Sequence, residues 1–186
     1  NTGSINTNNV DASLSLSDIQ IDTTLDLANL TTSQTFLTTT ETGGIAGTNT
    51  GLIAGCKNTG TVGYEHVGYN IGGIAGSTSG YLRSNTNEGA ILGRKDVGGI
   101  AGIVSDDSFV VNCYSTLADV SQNDSFASSV GYNKKGNVQN VYGNEACPSG
   151  KKNPDWIVGN DSKQDGSVWA ESLGLLLSLD EMKSGA

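Results

Sequence analysis

Apolar residues in this chain come in short runs set in polar, glycine-rich surroundings. From residue 43 onward, Ile45-Ala46, Leu52-Ile53-Ala54 and Val62 are separated by Gly, Asn, Ser and Thr. The series returns as Ile74-Ala75, Tyr81-Leu82 and Ile91, then more loosely as Ile100-Ala101, Phe109-Val110-Val111 and a run ending near Val120. Runs this short, bounded by turn formers, predict strands rather than helices.

The runs belong to a repeat. Gly-Gly-Ile-Ala-Gly occurs three times, starting at Gly43, Gly72 and Gly98, with starts 29 and 26 residues apart. A degraded fourth copy, Ala127-Ser128-Ser129-Val130-Gly131, begins 29 residues after the third. Asn1-Thr2-Gly3-Ser4-Ile5 matches Asn58–Val62 and Asn87–Ile91, so the chain is expected to open part-way through a unit, as a fragment of a longer repeat protein or a mature chain cut from one. Such periods signal stacked supersecondary units. Three strands per unit describe one coil of an all-β, parallel β-helix, expected to be right-handed, of about four coils. Successive coils pair in parallel about 4.8 Å apart.

Stacking places equivalent residues in vertical columns. Ile45, Ile74, Ile100 and Ser129 form one, with the isoleucines inward. Ala46, Ala75, Ala101 and Val130 form the next, and Cys56, Asn85, Cys113 and Val141 a third. Glycine is expected to supply positive φ at tight corners, and Asn-x-Gly to serve the same end. The 26 glycines with two prolines and no triplet period exclude collagen.

The three Gly-Gly-Ile-Ala-Gly blocks and Gly51-Leu52-Ile53-Ala54-Gly55 resemble the GLUG motif, a glycine-rich repeat of bacterial cell-surface proteins that include adhesin-like chains and some IgA-specific metallopeptidases. Gly93–Ile100 is similar to repeats in surface proteins of Gram-positive gut anaerobes. The resemblance covers roughly residues 43–145. It implies a β-helix outside the bacterial cell, secreted or on its surface, acting as an adhesin module or rigid spacer with host or microbial glycans or surface proteins as partners. It carries no activity over. No His-Glu-x-x-His helix is present, so the peptidase chemistry has no residues here.

At 186 residues the chain fits one domain, divided into a partial coil (1–5), an insertion or degenerate coil (6–42), repeats (43–145) and a C-terminal cap (146–186). The net charge of −9 and pI near 4.3 argue against nucleic acid, which needs a basic footprint, and against anionic membrane surfaces. No apolar run approaches the ~18 residues of a membrane span. Cys56 and Cys113 share a column but lie two coils apart, about 9.6 Å by the strand spacing. A disulfide needs Cα atoms within about 7 Å, so both are expected as buried thiols. Cys147 lies beyond the last coil and would pair only if the C-terminal segment folds back.

Between the partial coil and the repeats, Ser15–Asp22 reads as a strand, and an inserted flap is favoured over a degenerate coil. Asp11, Asp18, Asp22 and Asp26 fit a solvated face better than a metal cage. In the cap, Trp156, Ile157, Val158, Val168 and Trp169 are expected to cover the last coil, whose open edge needs protection. Ser178-Leu179-Asp180-Glu181 has capping-box spacing and predicts a short helix, docked by Leu173, Leu175, Leu176 and Leu177.

For a site, the lone histidine stands in Gly63-Tyr64-Glu65-His66-Val67-Gly68-Tyr69, and the same connection one coil on holds Gly93-Arg94-Lys95-Asp96. Stacking should gather Tyr64, Glu65, His66, Tyr69, Arg94, Lys95 and Asp96 into a ridge. A salt-bridged structural corner is the favoured reading, and a glycan-binding ridge or carbohydrate-active β-helix the alternative. Asp106-Asp107, beside Glu88 or Asp96, is the one carboxylate cluster that bears on glycoside hydrolysis, and adjacent loop acids usually face water. Calcium-binding nonapeptides, phosphate loops and regular threonine arrays are absent from the sequence. The expectation is therefore no enzyme, no cofactor and no metal. End-to-end self-association through the open first coil is a further expectation.

Overall fold

Each repeat unit contributes one rung to three parallel sheets. The computed structural model describes residues 1–5, 40–64, 68–117, 125–146 and 174–184. Sheet 1 stacks β1 (Thr40–Gly43), β5 (Tyr69–Gly72), β9 (Lys95–Gly98) and β12 (Ser125–Ala127). Sheet 2 stacks β2 (Ala46–Asn49), β6 (Ala75–Thr78), β10 (Ala101–Val104) and β13 (Val130–Asn133). Sheet 3 runs through β3 (Leu52–Ala54), β7 (Tyr81–Arg83), β11 (Phe109–Ser115), β14 (Asn137–Asn144) and β15 (Leu175–Leu177), with β4 (Lys57–Asn58) and β8 (Thr86–Asn87) pairing along its far half. All these pairings are parallel. The chain is an all-β parallel β-helix, and four rungs in sheets 1 and 2 enclose about three full turns.

The register is the one the repeat predicts. Ala46, Ala75, Ala101 and Val130 are Cα partners in sequence. The Ile45 amide donates to the Ile74 carbonyl at 3.0 Å, and Ile74 to Ile100 at 3.0 Å. Ile74 and Ile100 are fully buried, but Ile45 is 40% exposed. The inward expectation fails there because Ile45 belongs to the uppermost described rung of its sheet. Sheet 1 is also a correction. Tyr69, Asn70, Lys95 and Asp96 were expected in a connection, yet they open the paired strands Tyr69–Gly72 and Lys95–Gly98. The expected third strand, at Val62 and Ile91, is reduced to isolated bridges that link Ile5, Val62 and Ile91.

The interior is not one core but two apolar lobes. One gathers Ile74, Leu82, Ile100, Val104, Val110, Val130 and Val141 between sheets 2 and 3. The other gathers Val62, Ile71, Ile91, Val97 and Leu117, with Phe126 against them. Between the lobes runs a polar waist. Asn1 Nδ2 donates to Asn58 Oδ1 at 2.9 Å, Asn58 Nδ2 to Asn87 Oδ1 at 2.8 Å, and Asn87 Nδ2 to Ser115 Oγ at 3.3 Å. Each asparagine also closes its own turn: Asn58 bonds the amide and carbonyl of Gly60, and Asn87 those of Gly89. Asn58, Asn87 and Ser115 are fully buried, and such groups cost about 1–3 kcal/mol each when left unpaired. Here every buried side-chain nitrogen and oxygen among the described residues has a partner.

Opposite this ladder lie the glycine pairs. A Cβ on Gly44 would strike the Gly73 carbonyl and the Asn58 amide, and one on Gly73 the Gly99 carbonyl and the Asn87 amide. These glycines therefore serve close backbone approach, not the positive φ expected of them. Positive φ falls elsewhere. One column is Glu41, Asn70 and Asp96 in sheet 1; another is Gly55, Ser84, Asn112 and Asn140, where sheet 3 bends. Gly63, Gly68 and Gly174 supply it outside the strands, as expected of glycine, and Asp107 in a turn. Nor do Asn58 and Asn87 adopt it; they act through their amides.

At the C-terminal end the leucines do more than dock a helix. Leu175–Leu177 adds to sheet 3 beside Tyr142–Asn144. α1 (Leu179–Ser184) follows with the predicted box: Glu181 N donates to Ser178 Oγ at 3.3 Å, and Ser178 N to Glu181 Oε2 at 2.9 Å. The Ser178 hydroxyl, at 2.7 Å, holds the Glu181 carboxyl below its ordinary value of 4.5. Of the stretch 6–42, residues 40–42 belong to β1, and residues 6–39 lie outside the described residues, as do Cys147 and the tryptophans of the cap.

The waist sets two tests. Gly73→Ala should cost more than about 4 kcal/mol in urea unfolding, because the added methyl strikes the Gly99 carbonyl on one side and the buried Asn87 amide of the ladder on the other. Gly51→Ala, with open space around the added methyl, should leave the midpoint nearly unchanged. Asn87→Ala should cost about 2–3 kcal/mol by stripping the Gly89 turn and the Asn58 amide of partners. For Glu181, a lowered carboxyl stabilises α1 fully above pH 4.5 and loses that support as pH falls through the lowered value. The chemical shifts of residues 179–184 should accordingly move toward coil on acidification below that point.

Candidate functional site

Four of the seven residues of the sequence-predicted ridge lie on or beside sheet 1. Tyr69 and Lys95 are Cα partners on adjacent rungs, and the amides of Arg94 and Lys95 donate to the Gly68 carbonyl at 3.0 and 3.3 Å. The structure therefore brings Tyr69, Arg94, Lys95 and Asp96 to one edge of the coil. Tyr64 is 37% exposed and stands two residues beyond the Val62 bridge. Glu65 and His66 lie outside the described residues. Asp96 is buried, sits at positive φ and lies 4.0 Å from Lys95 Nζ. One rung above its equivalent, Asn70 Nδ2 donates to Glu41 Oε1 at 2.8 Å. This column is a hydrogen-bonded corner in which Asn and carboxylate side chains support a left-handed backbone. Tyr69, Arg94, Lys95 and Asp96 all have polar or electrostatic partners.

The carboxylates singled out for hydrolysis are not gathered. Asp106 and Asp107 form the exposed turn between β10 and β11. Glu88 sits beyond β8 and pairs with Lys57 at 2.7 Å. Among the described residues no three His, Cys, Asp or Glu side chains converge as a metal group.

Sequence reasoning missed the outer face of sheet 3. Leu52, Tyr81 and Phe109 stack as Cα partners on successive rungs. The Tyr81 and Phe109 rings lie parallel, centroids 4.9 Å apart, while Leu52 is 65% and Tyr81 52% exposed. Beyond the bend at Asn112 and Asn140, Tyr114 pairs with Tyr142 and Tyr142 with Leu175. Where this face meets the C-terminal segment there is a groove of about 390 Å³, lined by Asn112, Cys113, Tyr114, Asn140, Tyr142, Leu177 and Met182. Asn140 Nδ2 donates to Asn112 Oδ1 at 3.1 Å across the bend. The one available signal was the outward alternation of Phe109, Val111 and Tyr114 in a strand whose inward residues are Val110 and Cys113.

The cysteines of the column are unbridged as expected, but only Cys113 is buried; Cys56, on the uppermost described rung of its sheet, is partly exposed. Cys56 and Cys113 are both free thiols, with Asn85 between them. Asn85 Oδ1 accepts from the Cys56 amide at 2.9 Å, and its own amide donates to Cys113 Sγ at 3.4 Å. Burial pushes the Cys113 thiol above its ordinary pKa, and the Asn85 hydrogen bonds only partly offset this. Thiolate is the reactive form. In a Cys147→Ser background, native protein at pH 8 should therefore release one thiol equivalent to a disulfide reagent, from Cys56, and the second only on unfolding. Equal labelling rates would contradict the buried column.

No protein-family model, curated protein or solved structure matches the chain.

Proposed function

We propose that this chain is a non-catalytic segment of a bacterial cell-surface or secreted repeat protein, serving as a rigid spacer with adhesive capacity. One observation carries the reading: rungs stack in parallel register, with a single irregularity at Ser125/Phe126 in the last rung of sheet 1, so each coil buries its apolar columns and amide ladder only against its neighbours. Such a unit extends along one axis and is stiff, because bending it would open backbone and side-chain hydrogen bonds together. Outward columns change from rung to rung without disturbing that interior. A surface protein needs this combination to hold a variable face away from a cell. The acidic balance of 19 Asp and Glu against 10 Lys and Arg keeps such a face soluble. The GLUG resemblance of the glycine blocks points to the same setting. No helix among the described residues is long and apolar enough to cross a membrane.

The modular logic is testable by length. Residues 72–97 span one register-equivalent coil, since Ile71 pairs with Val97 and Gly72 with Gly98. Inserting three further copies after Val97 should lengthen the particle by about 14 Å at constant cross-section in small-angle scattering, from the ~4.8 Å rung spacing. Isotropic growth or aggregation would contradict a stackable spacer. Release of reducing ends from polysaccharides by the parent protein would end the non-catalytic reading.

A further inference from the structure

We infer that the groove between sheet 3 and the C-terminal helix binds a short neutral saccharide. This names a ligand class for the adhesive part of the reading above and rests on that part alone; the length experiment does not bear on it.

The argument starts from size and chemistry. About 390 Å³ falls within the ~300–1,000 Å³ of small-molecule sites, which combine apolar and aromatic walls with a few placed polar groups. Here the walls include Tyr114 and Tyr142, Cα partners on adjacent rungs, with Leu177 of β15 and Met182 of α1 completing the apolar lining. The polar groups are Asn112 and Asn140. Their mutual hydrogen bond uses one donor and one acceptor. The Asn112 Nδ2 and the Asn140 Oδ1 are left without partners among the described residues. A donor and an acceptor side by side match a vicinal hydroxyl pair, which needs both. The pair is also held in place: both residues take positive φ at the bend, with φ of 53° and 50°.

The charge pattern selects among ligands. None of the lining side chains carries a charge at neutral pH. Lys57, at the start of the far half of sheet 3, is already paired with Glu88 at 2.7 Å. A phosphate, uronate or basic peptide would enter without a counter-charge, and burying it would be costly. A purely apolar side chain would leave both amide groups desolvated and unpaired. A sugar presents C–H surface to the tyrosines and hydroxyls to the amides. The Tyr81–Phe109 stack on the same sheet is a poorer platform, because each ring covers a face of the other.

The test uses the full chain and saturation-transfer NMR with methyl glycosides of glucose, galactose, mannose and N-acetylglucosamine, with methyl glucuronide as the charged control. At least one neutral glycoside should receive saturation, and the glucuronide much less. Tyr114→Ala removes an exposed ring, and Asn112→Gly deletes the amide while keeping a residue suited to positive φ. Both should weaken binding roughly tenfold or more with thermal midpoints near the parent's, whereas Tyr81→Ala should bind like the parent. The proposal is overturned if no neutral glycoside binds, if the glucuronide binds as well, or if Tyr114→Ala and Asn112→Gly leave binding unchanged. Displacement of a groove-bound apolar dye by hydrophobic peptide but not by sugar would assign the groove to a protein partner instead.

Discussion

Glycine backbone pressed against a file of asparagine amides organises this molecule. Apolar burial alone would collapse the chain but would not say which rung lies over which, because it is non-directional. The Asn58–Asn87–Ser115 ladder is directional, with one hydrogen bond per rung. In a desolvated interior each such bond is strengthened and each unpaired group penalised, so a slipped register loses several groups at once. The glycine pairs make this geometry reachable. Without a Cβ at Gly44, Gly73 and Gly99, the backbone of the first corner comes close enough to the opposite wall for the coil to narrow to a waist. Two small lobes then suffice where one wide cavity would need larger side chains than the repeat contains.

A consequence is the separation of interior from surface. Most inward columns repeat their chemistry, isoleucine over isoleucine, alanine over alanine, asparagine over asparagine, the column of Cys56, Asn85, Cys113 and Val141 being the exception. Outward columns do not. Leu52 is followed by Tyr81, Phe109 and Asn137, and Ala54 by Arg83, Val111 and Gln139. The left-handed column through Gly55, Ser84, Asn112 and Asn140 bends sheet 3, and the groove forms where the cap meets that bend. Functional variation is thus confined to positions whose change costs the scaffold little. Asp96, by contrast, is buried into the scaffold, because the corner it occupies needs side-chain support.

Much of this was legible in the residues. Repetition of a five-residue block at a near-constant period implies coils, and coils imply columns; the alanine, isoleucine and cysteine columns follow with no further information. The capping box at Ser178 and Glu181 was equally readable, since its bonds are local. Sheet 1 was not. Tyr69–Gly72 and Lys95–Gly98 carry Asn or Asp in a left-handed conformation at their second position, which breaks the alternation by which strands are recognised. The task of the glycines was misread for a related reason: a dihedral preference is a property of one residue, whereas close approach depends on what stands opposite. Leu175–Leu177 as a strand escaped notice because its partner, Tyr142–Asn144, is remote in the chain.

Period, coil architecture and vertical register belong to the primary structure, because an interval repeated along a chain becomes a stacking distance once strands pair in parallel. What crosses the coil belongs to the folded molecule. That Asn87 faces Gly73, that Asn112 and Asn140 share a groove with Met182, and that Ile45 is exposed while Ile74 is sealed all depend on how three sheets are angled about one axis. Those angles arise from contacts between residues that no local pattern links.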